Sequence, residues 1–180
     1  MTAQITDTFI FKRKKYELIG IQGGGLFSPE AFDMEPEMIH TACYRGFYAT
    51  YKLRKDALIL TKLTIRDKNN CYPAIGGIEP NIEAGEGEAV YGNLNYKILF
   101  TGKLRLARDF IDELYIHMGF QKASAFKEVF DITINKGMIA DIKDRSAEIE
   151  QKRGAFKKHY ESGNIIERID EAFKLDLDYE

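Results

Sequence analysis

The chain has no tryptophan, two cysteines, four prolines and three histidines among its 180 residues, and no long apolar run. Each shortage closes a route. Cys43 and Cys71 are far apart and lack a set of close spacings, so no disulfide framework is expected and a reducing compartment fits. His40 and Cys43 form one close pair of metal-ligating residues. Structural zinc sites draw on two such pairs, so neither a metal nor any other cofactor is expected. No segment has the length and apolarity of a membrane span, and the N-terminal positive charges follow a short apolar run, the reverse of a secretory signal. The expected location is the cytoplasm. A net charge of −2 offers no overall attraction to nucleic acid or to an anionic membrane.

What is present is β grammar. Twelve Phe and ten Tyr suit pleated, half-buried surfaces. From His40 to Arg66, Phe47, Ala49, Tyr51 and Leu53 alternate with polar residues, and Ala57, Ile59, Thr61, Leu63 and Ile65 repeat the pattern after a charged break. A loop over Arg54, Lys55 and Asp56 would set Leu53 against Ala57, Tyr51 against Ile59 and Phe47 against Leu63. Thr8 to Phe11 and Tyr16 to Ile21 form a second hairpin around Lys12 to Lys15, with Phe9 facing Leu18. Two further hairpins are expected: Tyr96 to Leu106 around Thr101, Gly102 and Lys103, and Phe130 to Ile142 around Asn135, Lys136 and Gly137. Ser28 and Pro29 are suited to start a single helical turn. Residues 67–92 read as a long surface loop with acidic Glu83, Glu86 and Glu88.

The C-terminal end is helical. Asp144 to Glu161 carries charges at helical spacing around Ile149, Phe156 and Tyr160, and Asn164 with Glu167 makes a capping box for a second apolar stripe ending at Phe173. The expected fold is α+β and mainly antiparallel: a hairpin-built sheet or partly closed barrel of about eight strands with two C-terminal helices. Residues 1–143 form the sheet and 144–180 the helical segment packed on it, as one domain overall.

Reactive groups are sparse. Asp109, Glu113 and His117 share one face if their segment is helical, a layout suited to acid–base chemistry, and scatter if Leu114 to Phe120 is a strand, which the surrounding strands favour. His40, Tyr44, Arg45 and Tyr48, at the start of the central hairpin, are the candidate ligand-binding residues. The cations Lys12 to Lys15, Lys152, Arg153, Lys157 and Lys158 are diluted by nearby acids and read as solvated faces, not as a nucleic-acid surface. No nucleotide-binding glycine spacing and no nucleophile motif occurs. The expected function is non-enzymatic binding of another protein, as an accessory or toxin-immunity-type protein would act, with a homo-oligomer as a further option. The alternatives are a carrier of apolar small molecules with a lipocalin-like barrel mouth, and an acid–base hydrolase built on Asp109, Glu113 and His117.

Overall fold

The computed structural model describes residues 2–82, 87–162 and 172–177, and gives no side-chain description for 155–162. The strands are β1 (Thr8–Phe11), β2 (Lys14–Gly23), β3 (Phe47–Leu53), β4 (Leu58–Ile65), β5 (Asn81–Ile82), β6 (Ala89–Tyr91), β7 (Tyr96–Lys97), β8 (Gly102–Phe110), β9 (Phe126–Asn135) and β10 (Met138–Asp144). They form one sheet in the order β10-β9-β8-β2-β1-β3-β4-β6-β5, with β7 also on β4. Among the described residues every strand-to-strand ladder is antiparallel except β1 with β3, which lie parallel because the long connection 24–46 returns the chain in the same direction.

The barrel expected from the sequence does not form. The ladder has two ends, β10 and the two-residue β5, and they are not paired with each other. Closure requires a hydrogen-bonded register between the first and last strands, and β5 is too short to supply one. The described residues contain one long helix, α1 (Ser146–Ser162), where two were expected. Most of the second, 164–173, lies outside the described residues, as do the side chains of Phe156 and Tyr160 and residues Glu83 and Glu86.

Side-chain alternation builds a core on each face. On one face Phe9, Tyr51, Leu60, Leu63, Tyr91, Leu104, Ile132 and Ile134 belong to one buried cluster. On the other, Ile19, Ala107, Val129 and Phe126 meet Ile149 of α1 and the small residues Ala123 and Ala125. Asp144 starts the helix by accepting the Ser146 N–H at 2.9 Å, and the Ser146 hydroxyl accepts the Val129 N–H at 3.0 Å.

Hairpin registers differ from the expected ones, and turn chemistry explains why. In β1–β2 the turn is Lys12-Arg13, both with positive φ (49° and 63°), so Phe9 faces Tyr16 and not Leu18. In β3–β4 Arg54 N–H bonds Ala57 O at 2.8 Å, making a four-residue loop. Leu53 therefore faces Leu58, and a bulge beside Thr50 sets Ala49 against Leu63. In β9–β10 Gly137 takes the expected left-handed conformation (φ 81°), but the turn is the two-residue Lys136-Gly137. The hairpin expected over 96–106 is absent: β7 joins β4, whereas β8 is inserted between β2 and β9. The segment 109–118 is neither long helix nor strand. It is the end of β8, a single 3-10 turn at Asp112–Leu114 and irregular chain.

The loop after β4 is more structured than its composition implied. Asp67, 2 % exposed, accepts the N–H groups of Asn69 (2.9 Å) and Cys71 (2.8 Å) and also that of Glu35. Tyr72 and Tyr91 hydroxyls donate to Gly87 O and Pro73 O, both at 2.8 Å. Ile75 is fully buried.

Candidate functional site

Asp109 sits in β8 with φ 60°, in the left-handed region, and its carboxylate accepts from Arg108 at 2.7 Å. Glu113 is exposed on the 3-10 turn, and His117 stands edge-on to Tyr115 with centroids 4.9 Å apart. No hydrogen bond or ion pair joins the three among the described residues. His40 Nδ1 accepts the Ala42 N–H at 3.2 Å within an exposed turn. Tyr44 is 46 % exposed and its ring lies 6.3 Å from that of Phe173. Tyr48 is half-buried on β3.

Arg45 alone of these points into a buried network. Its guanidinium pairs with Asp7, donates to Phe47 O at 2.7 Å and covers the Phe47 ring at 4.4 Å. Asp7, 3 % exposed, also accepts the Ala49 N–H at 2.7 Å, which ties the start of β1 to β3. Tyr51 stacks on Phe9 at 5.0 Å, and its hydroxyl has no hydrogen-bond partner among the described residues. Burial, reinforced by the Asp7 charge, pushes that phenol well above its ordinary range. Burial likewise pushes the Cys43 thiol up. The network is fold chemistry, since its carboxylate is already committed to a backbone amide and a guanidinium.

Two surface clefts formed by described residues bear on function. The first, about 470 Å³, lies over β2 and β8 and is lined by Lys15, Tyr16, Glu17, Arg108 and Asp109. Tyr16 donates to Glu128 at 3.2 Å, and Arg108 is held between Glu128 (2.8 Å) and Asp109. Burial and then the Glu128 charge push the Tyr16 phenol up to about 12, and burial raises the Glu17 carboxyl. The guanidinium charge is more than offset by its two carboxylates, so Arg108 is not available to an anionic ligand.

The second cleft, about 250 Å³, is lined mainly by aromatic and aliphatic side chains, with Ser28 and Lys97 among them. The 3-10 turn Pro29–Phe32 forms where Ser28-Pro29 was expected to start one, and it sets Phe27 and Phe32 face to face at 5.5 Å. Tyr96 of β7 meets Phe32 edge-on at 5.6 Å, and Leu26, Ile98 and Leu99 complete the walls. Leu99 is 77 % exposed. The β9–β10 tip reaches the same place: Gly137 N–H bonds Phe100 O at 2.8 Å, and the next residue, Met138, is 49 % exposed. Sequence reasoning missed this groove because Tyr96 and Leu99 read as one arm of a hairpin.

Among the described residues no cluster of three His, Cys, Asp or Glu is placed to hold a metal ion, and no helix is long and apolar enough to cross a membrane. The chain matches no protein-family model, no curated protein and no solved structure.

Proposed function

We propose that the protein is a non-enzymatic binding protein of the cytoplasm that engages another protein through the aromatic groove between Phe27, Phe32, Tyr96 and Leu99. The observation that carries this reading is the 77 % exposure of Leu99 beside a preformed ring-lined pocket. A leucine held in water next to such a wall gains about 1.5–3 kcal/mol when a partner buries it, the energy scale of an interface anchor. Cys43 and Cys71 are both free thiols, in keeping with a reducing compartment. The carrier alternative rested on a barrel mouth that the open sheet does not have, and no contact joins Asp109, Glu113 and His117 among the described residues.

The test is capture from native lysate on immobilised full-length protein, run beside Leu99→Asp. Because Leu99 is exposed, the variant should melt with the parent. The reading expects a stoichiometric protein retained by the parent and lost by the variant. No stoichiometric partner, or equal retention by both, would overturn it.

A further inference from the structure

We infer that β10 is a self-complementary edge that pairs antiparallel with β10 of a second copy, about a two-fold axis passing through Ile142. This goes beyond the groove reading and does not depend on it.

The backbone sets which groups are available. Arg145 N–H donates to Val129 O at 2.9 Å, so residue 145 faces β9. In an antiparallel pair facing alternates along the strand, so Lys143 also faces β9 whereas Ile142 and Asp144 direct their N–H and C=O groups outward. The far end of the edge is capped already, since Ile139 N–H donates to Lys55 O at 3.1 Å, and the bulge between Ile139 and Asp141 separates that end from the rest. What stays open among the described residues is the stretch centred on Ile142, on a strand that is exposed at nearly every position.

The side chains select the occupant. Ile142 is 40 % exposed at the rim of the larger core, opposite the fully buried Ile132. Asp141 and Lys143 flank it on the other face, and neither forms an ion pair among the described residues. Two copies paired through Ile142 exchange the two outward hydrogen bonds of that residue and bring the isoleucines together. The same register places Asp141 of each copy opposite Lys143 of the other, twice. Moving the axis by one residue toward the turn, a slip of two residues between the strands, would instead put Asp141 against Asp141, which like-charge repulsion disfavours. The contact is isologous and closes after two copies, so it ends in a dimer and not a filament.

A single short edge is a small interface, so association is read by sedimentation of the full chain from about 10 µM to about 1 mM. The parent is expected to move from monomer to dimer across that range. Asp141→Lys and Lys143→Asp each create two facing like charges, and each is expected to stay monomeric. An equimolar mixture of the two variants restores both opposite-charge contacts and is expected to dimerise. Thermal melting of each variant checks its folding, and rescue in the mixture is a result that misfolded variants cannot give. Leu99→Asp should dimerise as the parent does, which separates this inference from the groove. A parent that is monomeric throughout would overturn it and assign the charges to keeping edges apart. Single variants that dimerise unaided, or a mixture that does not, would overturn the register.

Discussion

Asp131→Ala is the most informative single change, because Asp131 joins three elements through one carboxylate. Arg105 of β8 holds it with two parallel bonds, Nε to Oδ1 at 2.6 Å and Nη2 to Oδ2 at 3.0 Å, and Arg145 at the β10–α1 joint adds Nη1 to Oδ2 at 2.8 Å. Arg145 continues to Glu148, which Lys152 also reaches at 2.8 Å, so the charges form a chain from sheet to helix. The Arg105 side chain is 6 % exposed and that of Asp131 18 %. Breaking a buried pair costs about 3–5 kcal/mol, and the partial exposure of Asp131 puts this case near the lower figure, about 3 kcal/mol. For a chain of this size that corresponds to a fall in Tm of about 6–12 °C, checked by calorimetry and by urea unfolding. Burial works to raise the Asp131 carboxyl, but Arg105 and then Arg145 more than offset it and hold it below the ordinary range. A depressed carboxyl contributes stability above its unfolded pKa of about 3.9 and loses it as pH falls through the folded value. The Tm gap between parent and variant should therefore be full at pH 7 and shrink below about pH 4. A gap under about 1 kcal/mol, or one that does not change with pH, would refute the reasoning, because that is the behaviour of a solvent-screened surface pair.

Gly119→Ala should be as costly for a different reason. Gly119 has φ +70°, and an added Cβ would overlap the backbone oxygen of Ala172, which also accepts the Phe120 N–H at 2.7 Å. Strain and overlap together predict a loss of about 3 kcal/mol by urea unfolding, and a variant within 1 kcal/mol of the parent would contradict the close approach. At the alkaline end, Tyr16, Tyr51 and Tyr91 all have raised phenols, Tyr16 to about 12. A raised phenol contributes stability that is complete below about pH 10 and lost as pH climbs through the folded value. Three of the ten tyrosines should thus ionise only with the loss of ellipticity, and a single titration of all ten near pH 10 with the fold intact would exclude this.

Much of the strand content was legible because alternation is a local property. Residues 47–53, 130–134 and 8–11 declare a half-buried face without reference to any partner. Register was less legible, since it depends on whether a turn takes two, three or four residues. Lys12 and Arg13 accept left-handed backbone that their residue types do not advertise. Leu104 and Leu106 read as a hairpin arm, yet β8 pairs on one edge with the distant β2 and on the other with the next strand, β9, and not with the 96–100 segment. The segment at Asp109, Glu113 and His117 fits both helical and extended periods, and the structure adopts neither, because Phe110 and Leu114 pack against the α1-side core. The Ser28-Pro29 turn of the groove was visible in the sequence, but its opposing wall was not.

By itself, then, the sequence determined a mainly antiparallel sheet with a helix at its C-terminal end and a glycine in the last hairpin turn. Those follow from residue-scale preferences for pleat, turn and cap. Tertiary structure alone decided that the sheet stays open with β10 at its edge, that β1 and β3 run parallel, and that Asp7, 38 residues from Arg45, anchors them. It also decided that Phe27, Phe32, Tyr96 and Leu99 share one groove. These depend on contacts between distant segments, whose energy comes from burying shared surface and satisfying buried charge, and no local pattern encodes which segments will meet.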